Sequence, residues 1–371
     1  MKVNKLLIVP SDRIVRNRTA YSVLSGIARY FKSRFWSNLL PYDGEMQFYG
    51  DMPLILGKEN VFVFGEYHKH YFLRSISDNC AYPSCCKTPE PRFISQEHLE
   101  DVIKEADVLL VSSRSGERGS VAIMKAKAGA TPVAIIDFED HESNYGSSDV
   151  RRELCRGFIY DREYDIYFKK DLPLGYKTET VLPLCPIPVR PESYEIGGIT
   201  KEVDIFYSGR KRMERCQPER GEVVDVVREN FGNALILEHE TRNSFVSTRE
   251  YWANLSKCRM ALSPSGRVWD SFRHCEVGLA KTAVLIAPTP YVETVGPYLE
   301  DGKNAVLYDT ELRGRRYHLK NKSDFVHKVK HYLNNREELE KISEAWHRNV
   351  LSGHTILARS RYIIECLQRV L

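Results

Sequence analysis

SPSGRVWDSFRHCEVGLAKTAVLI, residues 263–286, is the stretch on which the reading of the fold turns. A turn rich in small residues precedes an amphipathic segment that carries Arg273 and Glu276. Gly278 and Lys281-Thr282 then lead into Ala283-Val284-Leu285-Ile286, an apolar run of the kind that forms a buried strand. The order is loop, helix, strand. A helix N-terminus offers free backbone N–H groups and the positive end of the helix dipole, which suits phosphate. Glu276 stands one helical turn after Arg273, so both face one cleft. A cation near a diphosphate and a carboxylate near ribose hydroxyls meet the needs of a sugar-nucleotide site. The same spacing also fits a surface helix with an i, i+3 ion pair.

Outward from this stretch, the chain alternates strand-like and helix-like segments twice. In the first half, strands are expected at residues 5–9, 61–64, 108–112 and 132–137, and helices at 17–32, 96–105 and 121–128. Residues 35–58 and 82–91 are rich in Pro, Gly and aromatics and read as loops over the mouth of a cleft. Residues 183–191 (PLCPIPVRP) cannot supply a central strand and read as a linker. The second alternation places strands at 203–207, 234–237, 260–263, 283–287 and 305–308. Its helices fall at 220–230, 248–257, 270–280, 322–334, 336–351 and 355–370. Alternation of this kind predicts an α/β fold, two parallel sheets covered by helices, with ligand between the halves at the C-terminal ends of the strands. The expected divisions are a first domain over 1–185, a linker over 186–200, a second domain over 201–352, and a last helix over 353–371 that packs back on the first domain.

Bulk properties agree with two domains. At 371 residues, 42% hydrophobic and 28% charged, the chain has the composition of a globular protein too long for one core. A net charge of +4 suits anionic small molecules and is too weak to argue for nucleic acid. The apolar run at residues 6–10 is cut short by charge, so it reads as a first strand and not a signal peptide. No stretch approaches the ~18–20 apolar residues that span a bilayer. The nine cysteines are scattered. Cys80, Cys85 and Cys86 cluster without a second pair at metal-ligand spacing, so free thiols in a reducing compartment are expected. The expected location is the cytoplasm, with work at the inner membrane face as a variant.

The ordered pieces of the second half resemble the C-terminal domain of GT-B-fold glycosyltransferases, closest to the spore-maturation-protein-like group with a "glycosyl transferases group 1" domain. They are the strand and SGR turn at 204–210, YWANLSKCRMALSPSG at 251–266, SFRHCEVGLAKTAVLI at 271–286, YLEDGKNAVLYD at 298–309, and the tail from HYLNNREELEKISEAW to HTILARSRYI. DFEDHE at 137–142 and FKKDLPLGY at 168–176 resemble the group's first domain. The resemblance implies two Rossmann-like domains facing a cleft and transfer of a sugar from a nucleotide-sugar to a glycan, glycolipid or protein hydroxyl. Many retaining relatives carry glutamates in an E-x7-E pattern. Glu276 would be the second, and Val268 stands where the first would be.

Ser208, Gly209, Arg210 and Lys211 follow a strand directly; glycine admits close backbone approach and the cations neutralise a leaving diphosphate. A plain strand-end turn is the alternative. By the resemblance, Glu276 holds the ribose hydroxyls and Arg273 touches phosphate or orients Glu276. Ser263, Ser265 and Gly266 would shape a phosphate loop, or else simply cap the helix. Asp137, Glu139, Asp140 and His141 form the strongest acidic cluster, from which a general base for the acceptor hydroxyl would come. Arg13, Arg16 and Arg18 follow the first strand and would bind an anionic acceptor or donor phosphate. The resemblance implies no bound metal and no cofactor beyond the nucleotide-sugar, because basic residues and a helix terminus carry the leaving charge. A homodimer is compatible with the chain. Three alternatives stand beside this reading. One is a catalytically degenerate nucleotide-binding scaffold. Another is a DNA-modifying glucosyltransferase of the same fold, which the modest charge disfavours. The third is a dehydrogenase, which would need a G-x-G-x-x-G where PSDRIVRN stands.

Overall fold

In the computed structural model the described residues are 2–10, 46–65, 89–138, 164–191, 200–210, 216–239, 246, 248–281, 283–314 and 316–371. The first half builds β1 (Leu6–Val9), β2 (Val61–Phe64), β3 (Arg92–Ile94), β4 (Val108–Ser112), β5 (Val133–Asp137), β6 (Ile166–Lys169) and β7 (Val181–Pro183). They form one parallel sheet in the order β3-β2-β1-β4-β5-β6-β7. The central runs LLIV, VFVF, VLLVS and VAIID are buried along their whole length, as strands covered on both faces must be. The second half builds β8 (Val203–Gly209), β9 (Ala234–Glu238), β10 (Cys258–Leu262), β11 (Val284–Pro288) and β12 (Val306–Tyr308), also parallel, in the order β12-β11-β10-β8-β9.

Both orders reverse beside their first strand, β1 in one sheet and β8 in the other. Such switch points open a crevice beyond the C-terminal ends of the strands, where ligands of open α/β sheets bind. The segment after β1, with Arg13, Arg16 and Arg18, lies outside the described residues.

Helices α1 (Met46–Tyr49), α2 (Met52–Leu56), α3 (Leu99–Glu105) and α4 (Gly116–Ala128) belong to the first half. Helices α5 (Pro218–Asn230), α6 (Thr248–Lys257), α7 (Phe272–Ala280), α8 (Lys322–Asn334) and α9 (Arg336–Gly353) cover the second sheet, and α10 (Ile356–Val370) ends the chain. α10 returns to the first domain. Ile363, Ile364, Cys366 and Leu367 join one core with Leu6, Ile8, Phe48 and Met52. Each large apolar side chain so buried contributes roughly 1.5–3 kcal/mol.

The structure adds to or departs from the expectations at three places. The part of 35–58 that is described is not a loop. It holds α1 and α2, and Phe48, Tyr49 and Met52 are core residues beneath α10. Pro53 is compatible with this because it sits in the first turn of α2, where its missing N–H is not needed. A hairpin of β13 (Thr310–Arg313) and β14 (Arg316–Leu319) was not foreseen. The proline-rich stretch is buried over residues 182–190. Ile187 N–H donates to Asp270, at 3.3 and 3.1 Å to the two carboxylate oxygens. Val189 N–H donates to the His354 carbonyl at 2.9 Å, and Ile356 N–H returns to the Val189 carbonyl at 3.0 Å. The segment between the sheets is thus bonded to the start of α7 on one side and of α10 on the other. No described helix is long and apolar enough to cross a membrane.

Candidate functional site

β8 delivers Ser208, Gly209 and Arg210 to the switch point of the second sheet. The end of β8 is held from behind. Tyr207 donates its hydroxyl to the Arg210 carbonyl at 2.9 Å, and Arg220 Nη1 donates to the same oxygen at 3.3 Å. The Ser208 hydroxyl lies 3.0 Å from His239 Nε2, and His239 N–H donates to the Gly209 carbonyl at 3.2 Å. Gly209 is closely covered: a Cβ there would stand 3.0 Å from the Tyr207 hydroxyl and 3.2 Å from Arg273 Nη2. Lys211 lies outside the described residues.

α7 starts at Phe272, with Ser271 as its N-cap accepting from Arg273 N–H. Neither Ser263 nor Ser265 caps it. Ser263 is fully buried and its hydroxyl bonds His274 Nδ1 at 2.9 Å. His274 Nε2 faces the Trp269 carbonyl at 3.2 Å. With Nε2–H donating there, Nδ1 accepts from Ser263. Burial holds the imidazole neutral, its pKa lowered to about 3. Ser265 is fully buried too, and its carbonyl accepts from Arg220 Nε at 2.7 Å. The Gly266 carbonyl accepts from Gln217 N–H at 2.9 Å. Both serine side chains are therefore buried: Ser263 is bonded to His274, while Ser265 is tied to Arg220 through its main-chain carbonyl. The loop is fixed, but not by hydroxyls offered to a ligand.

Arg273 and Glu276 do meet at one place, though not as the i, i+3 ion pair. Arg273 Nη2 donates across the cleft floor to the Ser208 carbonyl, and its guanidinium carbon lies 5.3 Å above the Tyr207 ring. Its Nε and Nη1 are buried and have no hydrogen-bond partner among the described residues. Glu276 accepts at Oε2 from the Tyr251 hydroxyl at 2.9 Å. Burial raises the Glu276 carboxyl above its usual range, while Arg273 and the Tyr251 hydrogen bond act the other way. A cation with two unmet donors and a half-buried carboxylate thus share the rim of the β8 turn. That arrangement can take a phosphate on one side and hydroxyls on the other.

Across the cleft, Asp137 ends β5. Its Oδ2 accepts from the Tyr167 hydroxyl at 2.6 Å and lies 3.2 Å from Lys169 Nζ, and Oδ1 accepts from the Ser113 hydroxyl at 3.1 Å. A general base needs a lone pair facing the substrate, and this carboxylate is 2% exposed and held by three donors. It braces the strand end. Glu139, Asp140 and His141 lie outside the described residues. Among the described residues, Asp171, Cys185 and Asp270 form a group with metal-ligand chemistry. Lys170 Nζ already stands 2.8 Å from Asp171, and Asp270 accepts the Ile187 N–H, so hydrogen bonds and an internal cation use this donor set.

Tyr251, Arg220 and His239 are parts of the site that local spacing does not announce. Tyr251 lies 25 positions before Glu276 and Arg220 lies 45 before Ser265. The only signal was the YWANLSKC block, which reads simply as helix α6.

Residues 221–365 match the family model described as "Glycosyl transferase-like". No curated protein sequence matches the chain. Among solved structures, Anabaena HepE in complex with UDP aligns at a TM-score of 0.55 with 10% identity over 100% of both chains. HepE in complex with UDP-glucose aligns at 0.50 with 10% identity, over 98% of this chain and 99% of that one. The fold is thus the GT-B architecture, two Rossmann-like domains about a cleft, with residues 221–365 similar to glycosyl transferase-like domains.

Proposed function

We propose that this chain is a glycosyltransferase that moves a hexosyl group from a nucleotide-sugar to an acceptor hydroxyl without a bound metal ion. The observation that carries the reading is Arg273. It is a buried guanidinium with two unmet donors, set over the β8 turn of a glycosyl transferase-like domain and one helical turn from Glu276. Burying such donors unpaired costs about 1–3 kcal/mol each, a cost that a donor diphosphate would remove.

In this reading the acceptor hydroxyl gives its proton to a base and its oxygen attacks the anomeric carbon. The bond from that carbon to the phosphate oxygen breaks, and the nucleoside diphosphate leaves with the electron pair. Arg273, Arg210 and Lys211 stabilise the departing charge, and Glu276 holds the ribose. The base is one of Glu139, Asp140 and His141, with Asp137 bracing the strand that presents them. Arg13, Arg16 and Arg18 bind acceptor or donor phosphate from the first domain. The acceptor is a glycan, a glycolipid or a protein. HepE is complexed with UDP and UDP-glucose, which makes uridine donors the first to try.

Calorimetric titration with UDP-, GDP- and ADP-sugars, each with and without EDTA, tests the proposal. One donor should bind equally well in EDTA, and Arg273→Ala and Glu276→Ala should weaken it. Slow release of free sugar should accompany binding. If no donor binds, the reading falls. Binding with no hydrolysis and no transfer would favour a nucleotide-binding scaffold instead. That alternative draws on Val268, which is buried where a catalytic glutamate would stand.

A further inference from the structure

Glu276 does not orient itself. It projects from α7 and accepts at Oε2 from the Tyr251 hydroxyl. Tyr251 comes from α6, and its own ring is fixed on two sides. It lies tilted against Phe206 of β8, with centroids 5.8 Å apart, and edge-on to Trp252 at 5.6 Å. The charge of Arg273 favours the ionised form of the same hydroxyl, opposing the effect of burial and of Glu276. Three elements therefore converge to set one O–H direction, and that O–H fixes Oε2 of Glu276.

We propose that Tyr251 is a positioning residue: by holding Oε2 it turns Oε1 of Glu276 toward the vicinal hydroxyls of the donor ribose, and so makes the site select ribonucleotides over 2′-deoxyribonucleotides. The inference rests on the transferase reading above. A carboxylate has about four lone-pair directions. With one taken by Tyr251, the opposite edge is presented in a single orientation to two adjacent O–H groups. A half-buried carboxylate built to accept from a hydroxyl rejects the analogue that lacks it, because the oxygen is then left unpaired. Without the tyrosine hydroxyl the carboxylate can rotate and turn to Arg273, and the preference is lost. The same deletion removes an influence that lowers the Glu276 pKa, so acid should weaken ribose binding at higher pH in the variant.

The test is titration of the full chain with UDP and 2′-deoxy-UDP, with the GDP and ADP pairs run in parallel. Wild type, Tyr251→Phe, Glu276→Gln and the double variant are compared, and melting curves check the fold. Wild type should prefer the ribonucleotide by about tenfold or more, the scale expected for a lost hydrogen bond to a charged group. Tyr251→Phe should cut the preference to about twofold, with affinity for the deoxy form nearly unchanged. The double variant should discriminate no worse than Glu276→Gln alone, since the tyrosine acts through the glutamate. Unchanged discrimination in Tyr251→Phe, equal loss for both nucleotides, or additive loss in the double variant overturns the inference and leaves the transferase reading standing. If none of the three diphosphates binds wild type, the transferase reading fails and the inference fails with it.

Discussion

Arg359 Nη2 donates to the carbonyl oxygen of Pro186 at 3.0 Å, from a side chain that is fully buried. The same nitrogen faces His354 Nδ1 at 3.1 Å, and His354 Nε2 donates to the Pro297 carbonyl at 2.7 Å. The imidazole is neutral, its pKa lowered to about 3 by burial and by Arg359. α10 thus grips the segment between the two sheets and, through His354, the second domain. Arg359→Ala should destabilise the chain by about 3 kcal/mol or more, because it strips a buried carbonyl and packing at once. Arg359→Lys should not restore it, since an ammonium lacks the planar fork. Urea unfolding checks both; a change below about 0.5 kcal/mol in the alanine variant would mean that the contact does not hold the halves together.

Gly278 lets α7 and α9 touch. A methyl group on it would lie 2.5 Å from Val350 Cγ2 and 2.7 Å from Trp346 Cδ1. Trp346 cannot yield easily, because its Nε1 donates to the His274 carbonyl at 2.8 Å. Alanine gains about 1 kcal/mol of helix propensity over glycine, while overpacking costs about 1–3 kcal/mol. The steric cost should win, and Gly278→Ala should melt lower. A higher melting temperature would show that α9 moves away freely.

Glu219 supplies a pH dependence of definite sign. Its carboxyl is fully buried in α5, with Oε1 accepting from the Tyr308 hydroxyl and Oε2 without a partner among the described residues. Burial raises its pKa from 4.5 to about 7. A raised acid stabilises the fold below the unfolded value, and that contribution is lost as pH rises through the folded one. Glu219→Gln should therefore match wild type near pH 5 and exceed it by roughly 2–3 kcal/mol near pH 8. His274 and His354 titrate in both proteins, so they cancel in the difference. A constant difference across urea curves at pH 5, 6.5 and 8 would contradict the assignment.

The sequence makes the sheets legible because their strands are buried on both faces. VLLVS and VAIID can hardly be anything else, and α6 runs from Thr248 to Lys257 as its periodicity implies. The hairpin of β13 and β14 hides because its strands are half-exposed and charged, Thr-Glu-Leu-Arg and Arg-Tyr-His-Leu, with no apolar face to alternate. In the site, Arg273 and Glu276 are legible as neighbours on one helix. Their partners are not. Arg273 turns to Ser208, 65 residues away, and Glu276 to Tyr251. The orientation of Ser263 and Ser265 is illegible for the same reason. A serine beside a glycine resembles a ligand loop whichever way it points, and here both are fully buried.

Arg273 separates stability from function. A buried guanidinium with two unmet donors is a cost to the empty protein, partly repaid by the bond to the Ser208 carbonyl and the Tyr207 ring. Arg273→Met keeps much of the stem's packing and removes the charge. Replacing buried charge by an apolar side chain of similar volume is often neutral or stabilising. The variant should melt within a few degrees of wild type or above it. Its affinity for the donor diphosphate should fall by about tenfold or more, the scale of a lost hydrogen bond to a charged group. The loss should be nearly equal for UDP and 2′-deoxy-UDP, because a phosphate contact does not read the ribose. Marked destabilisation with unchanged nucleotide affinity would assign Arg273 to the fold and leave the phosphate to Arg210 and Lys211.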